Sequence, residues 1–115
     1  MKIASLLKDL EFNESRPSVQ VLFETSSSKE IRIALKNNQL MKEHKTPFPI
    51  VVEIFEGKVL FGVDGVKKEL VKGDMLSLDG NVPHDLLGQQ DSIIRLTISK
   101  SDTADRVKQV ANDSE

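Results

Sequence analysis

Between residues 17 and 99 the chain is a run of short stretches in which apolar side chains take every second position, with turn-forming residues between them. This period of two limits the fold more than any other feature, because alternate side chains of a strand point to opposite faces and give each stretch one face for a core. Over Ser18–Thr25, Val19, Val21 and Phe23 alternate with Gln20 and Glu24; over Glu30–Leu35, Ile31, Ile33 and Leu35 alternate with Arg32 and Ala34. The Asn37-Asn38 pair then marks a turn, since Asn tolerates the left-handed conformation better than most residues with a β-carbon. A strand over Leu40–Lys45 follows.

Residues 49 to 72 carry the clearest local signal: a strand over Ile50–Phe55, then Lys58–Val63 and Val66–Val71 joined by Asp64-Gly65. Asp-Gly supplies two positive-φ residues, the requirement of a type I′ hairpin turn. Further strands are predicted over Asp74–Leu78, Pro83–Leu87 and Asp91–Lys100, with breaks at Gly73, at Asp79-Gly80-Asn81 and over Gly88–Gln90. So many short strands at this spacing indicate an all-β sandwich or barrel. The division this suggests is an N-terminal segment and first strand over 1–25, a β core over 26–100 and a polar tail over 101–115. Residues 3–10 are predicted to form one or two helical turns, and the tail a short helix started by Ser101 or Asp102.

Composition removes several classes of function. With 16 Lys and Arg against 18 Asp and Glu interleaved along 115 residues, there is no basic cluster to neutralise a phosphate backbone, and Trp and Tyr are absent. Nucleic-acid binding is not expected. No apolar run approaches the length of a membrane-spanning helix. The start Met1-Lys2-Ile3-Ala4-Ser5-Leu6-Leu7-Lys8 lacks the length and the cleavage site of a signal peptide and is read as mature protein. Zero cysteines exclude disulfides, thiolate metal sites and a cysteine nucleophile, and make the cytoplasm the default location. Ser5-x-x-Lys8 and the glycosylation pattern Asn13-Glu14-Ser15 lack the context that would give either a meaning.

His44 and His84, the only histidines, lie on separate predicted strands. The residues around them resemble the two motifs of the cupins: Gly, His-x-His, Glu and Gly in the first, and Gly, Pro-x-Gly, His and Asn in the second. Laid on this chain, the first motif puts Asn38 at its opening Gly, His44 at its first His, Thr46 at the second His, Ile50 at the Glu and Gly57 at the closing Gly. The second puts Gly73 at Gly, Asp79 and Asn81 at Pro-x-Gly, His84 at His and Gly88 at Asn. Phe55-Glu56-Gly57, Lys72-Gly73-Asp74 and Val82-Pro83-His84 resemble common cupin triplets. His44-Lys45-Thr46-Pro47 is similar to the His-Lys-Ala-Pro of small bacterial cupins that also lack the second His and the Glu.

The resemblance covers about residues 26 to 100. It implies a cupin type-2, RmlC-like fold, the double-stranded β-helix or jelly-roll barrel. Complete cupin sites hold a metal with three His and one Glu, and only His44 and His84 carry over. A divalent ion such as Zn, Ni, Fe or Mn on these two is the alternative to the favoured reading, in which both are hydrogen-bonded residues of a ligand pocket shared with Thr46, Ile50 and Val52. Glu43 and Glu53 are an odd step from positions 44 and 50, so regular alternation turns both away, and only a β-bulge would bring them in. Lys42 and Arg95 are candidate anion-binding groups at the barrel mouth, with the solvated reading favoured for both, since long cations on strands usually reach water.

The strand Ile50–Phe55 is apolar on both faces, with Val51 and Phe55 opposite Ile50, Val52 and Ile54; the next strand mixes Val59, Phe61 and Val63 with Leu60. The second face needs cover from the other sheet's flank, from residues 1–16 or from another subunit. Small cupins are commonly homodimers, and a two-fold dimer is expected. The expected function is a dimeric, non-catalytic cupin that binds or senses a small molecule. The alternatives are a metal-dependent dioxygenase, isomerase or decarboxylase using His44 and His84, and a structural or interaction dimer with a filled pocket.

Overall fold

The computed structural model describes residues 1–100. Nine strands follow one another: β1 (Ser18–Glu24), β2 (Ser28–Leu35), β3 (Leu40–His44), β4 (Ile50–Glu56), β5 (Lys58–Val63), β6 (Val66–Val71), β7 (Met75–Leu78), β8 (His84–Gly88) and β9 (Ser92–Ser99). They form a five-stranded sheet in the order β1-β2-β9-β4-β7 and a four-stranded sheet in the order β3-β8-β5-β6, with every pairing antiparallel. No described helix is long and apolar enough to cross a membrane.

The inner faces meet as the alternation predicted. Ile31, Ile33 and Leu35 of β2, Ile50, Val52 and Ile54 of β4, and Ile94 of β9 face Val59 and Phe61 of β5 and Leu86 of β8, all between 0 and 6 % exposed. Each such side chain contributes roughly 1.5 to 3 kcal/mol by leaving water. The β5–β6 hairpin turns at Asp64 (φ 51°) and Gly65 (φ 76°), with Val63 opposite Val66. Gly57, between β4 and β5, has φ 95°, and a β-carbon there would stand 2.6 Å from the Asp91 carbonyl oxygen. Conformation and space both demand glycine.

The helical turns predicted over residues 3–10 are a correction. This stretch makes a single turn, in which Ser5 Oγ accepts from the Leu7 and Lys8 N–H groups and the Leu10 N–H donates to the Leu7 carbonyl at 3.3 Å. Asp9 at φ 56° ends it, and one turn does not repay helix nucleation. The helix expected after Ser101 lies outside the described residues. The N-terminal turn is instead held by tertiary contacts. Arg32, on the outer face of β2, donates from Nη1 to the carbonyls of Ser5 (3.2 Å) and Lys8 (2.9 Å) and from Nη2 to those of Asp9 (3.4 Å) and the Gln20 side chain (2.7 Å). It is 4 % exposed, a buried cation whose partners among the described residues are all neutral oxygens.

Candidate functional site

β3 and β8 are neighbours, and their register sets His44 directly opposite His84. Met41 opposes Leu86, so β3 spends three steps where β8 spends two: a bulge of one extra residue. The bulge lets both Met41 and His44 face inward, and Met41 packs against the core. It does not bring in a carboxylate. Glu43 stays exposed, and Glu53 lies on the outer face of its sheet, accepting from Arg95 Nε at 2.7 Å. Arg95 is not solvated as predicted: it also bonds Glu30, at 3.2 Å, away from the histidines.

The imidazoles lie with ring centroids 4.4 Å apart and planes inclined at 61°. Each Nδ1 faces a carbonyl two residues back, His44 that of Lys42 at 2.7 Å and His84 that of Val82 at 2.9 Å. A carbonyl only accepts, so both Nδ1 atoms carry the proton and both Nε2 atoms are left as acceptors in the neutral rings. His84 is 4 % exposed and stacks on Phe61 at 5.6 Å and 7°, whereas His44 is exposed. Burial pushes the His84 pKa down, with the neighbouring His44 adding to the effect; the Val82 carbonyl and Asp85 oppose it. Near neutrality His84 is an uncharged base.

The other sequence-predicted pocket residues go to different places. Ile50 and Val52, 3 % and 2 % exposed, are core packing. The Thr46 hydroxyl donates to the Phe48 carbonyl at 2.8 Å and lines a separate recess with Pro47, Phe48 and Ile98. His44 instead borders a recess of about 630 Å³ between β1 and β3, the outermost strands of the two sheets, with Arg16, Val19, Leu40, Met41 and Lys42 among its walls. Sequence reasoning missed Arg16 and Val19. Their one signal was that β1 is apolar on alternate positions, and nothing local says that β1 lies across from β3.

Cupin motifs imply a metal, so the donor set decides whether one fits. Two imidazoles meet, the Thr46 hydroxyl is engaged elsewhere, and Ile50 offers no donor. Among the described residues no three of His, Cys, Asp and Glu converge. Catalytic metal sites usually hold their ion with three protein ligands. The residues present do not fit a cupin metal centre.

No protein-family model matches the chain, and no curated protein matches it. Solved structures do. An RmlC-like cupin from Desulfovibrio desulfuricans superposes with a TM-score of 0.79 at 22 % identity, over 86 % of this chain and 96 % of the other. An RmlC-like cupin from Shewanella frigidimarina gives 0.72 at 22 %, over 86 % and 91 %. KdgF from Halomonas sp. gives 0.69 at 14 %, over 83 % and 91 %. Such identities speak to fold alone.

Proposed function

The chain has the cupin fold, an RmlC-like jelly roll, and we propose that it is a non-catalytic cupin that binds or senses a small molecule at the His44/His84 end of the sandwich and works as a homodimer. The observation that carries this reading is the imidazole pair itself. With both Nδ1 atoms committed to backbone carbonyls, the pair offers hydrogen-bond acceptors above a packed apolar floor, with no third metal donor and no carboxylate among the described residues. Residence in the cytoplasm is part of the proposal and rests on the absence of cysteine.

The dimer rests on the outer face of the five-stranded sheet. Arg32 draws the N-terminal turn over the β1–β2 side of that face. On the far side Val51 and Phe55 are half-buried, and Met75, directly opposite Glu53 on the same face, is 59 % exposed. A second copy would cover these three. Sedimentation should show a dimer that Met75→Lys weakens, and a monomer at all concentrations would refute this part.

The binding role is tested by a fragment screen read by amide chemical shifts. Binders should perturb residues 40–44 and 84–86 and lose affinity in His44→Ala. A screen that leaves those residues unmoved would overturn the reading.

A further inference from the structure

We infer that the recess between β1 and β3 is a site for a small amphiphilic anion, a carboxylate or phosphate head on a short apolar body. The inference rests on the proposed small-ligand role and names the ligand's chemistry. The chain as a whole is slightly acidic, with a net charge of −2, yet among the described residues no Asp or Glu lines this recess. Arg16 and Lys42 stand on its walls, one preceding β1 and one on β3, and neither joins an ion pair among the described residues. The nearest acid in sequence to Arg16, Glu14, is held by Lys36 at 2.8 Å. An adjoining smaller recess shares Arg16, Pro17 and Val19 and also lacks a carboxylate among the described residues. By contrast, the recess around Thr46 contains Glu24, and two others contain Asp9 and Glu30.

The apolar part of the site comes from the same geometry. Val19 opposes Ile33 and so points to the inner face of its sheet, but it lies on the outermost strand, where the facing sheet does not cover it, and it is 55 % exposed. Leu40, on the outermost strand of the other sheet, is 49 % exposed. A ligand with an alkyl or aryl body would remove both from water while its head meets the guanidinium and the ammonium. His44 also borders the recess, and its Nε2, an acceptor in the neutral ring, is no partner for the anionic head. The core residues Ile50, Val52, Phe61 and His84 do not line the recess, so the site is a lateral opening and not the barrel interior.

The test is a set of amide-shift titrations of the full chain with hexanoate, acetate, 1-hexanol and hexylammonium. Hexanoate should give saturable shifts over residues 15–19 and 38–44; acetate, lacking the body, and hexylammonium, carrying the wrong charge, should bind at least several-fold more weakly. Arg16→Ala combined with Lys42→Ala should weaken hexanoate by about tenfold, the sum of two exposed charge contacts, while Lys68→Ala on β6 should not change it. The amide spectrum itself reports whether each variant folds. Equal binding of 1-hexanol or hexylammonium in the recess, or hexanoate affinity unchanged in the double variant, overturns the anion inference and leaves the small-ligand role standing. Failure of all four compounds here, together with a fragment screen that leaves the His44/His84 end unmoved, overturns both.

Discussion

β3 and β8 run side by side and each delivers one histidine to the same point, yet the two rings live in different surroundings. β8 alternates regularly, its buried residues His84, Leu86 and Gly88 separated by half-buried Asp85 and Leu87. β3 is an outermost strand, bulged between Met41 and His44, and mostly exposed. His84 is consequently a wall of the core, clasped between Phe61 and His44, while His44 is the ring that solvent or a ligand reaches. One residue type is divided into two roles by the regularity of the strand that carries it.

The largest test of that contrast is Phe61→Ala. Removing a ring 2 % exposed should cost about 3 to 5 kcal/mol in a denaturant titration and loosen His84 with it. His84→Ala should follow at roughly 2 kcal/mol, since it removes a buried ring and the bond to the Val82 carbonyl. Next comes pH. The folded-state pKa of His84 lies below its ordinary 6.5, so the unfolded chain binds the proton more readily. His84's contribution should be complete above about pH 6.5 and lost as pH falls from there toward the lower folded value. Melting temperatures across that window should drop in the wild type and drop less in His84→Gln. The smallest effect belongs to His44→Ala, expected to stay within about 1 kcal/mol of wild type. A larger loss there than in His84→Ala would erase the distinction between the rings.

How far these features could be read from the sequence follows the same division. β5 and β6 are regular strands joined by an Asp-Gly turn, and the structure places them at the boundaries the alternation predicts. Gly57, Asn38 and Asn81 were legible because a positive φ leaves a mark in residue type. The meeting of His44 and His84 came through the motif resemblance, since strand pairing across forty residues has no local signal. The β3 bulge was illegible: counting back from His44 in steps of two turns Met41 outward, and only the pairing with β8 shows the extra residue. The recess, with Arg16 on one chain segment and Lys42 on another, depends on which strands end up outermost in their sheets. Arg32 looked like a polar residue on a solvated face and proved to be the anchor of the N-terminal turn, a role fixed by a segment more than twenty residues away.

What the paired imidazoles hold decides whether this end of the sandwich is a ligand pocket or a metal centre. The direct measurement is metal content of the purified full chain after supplementation with zinc, nickel, iron and manganese, set beside His44→Ala treated identically. The expected result is far less than one ion per chain in both. One ion per chain in the wild type, lost in His44→Ala, would contradict the account and make this end of the sandwich a metal centre.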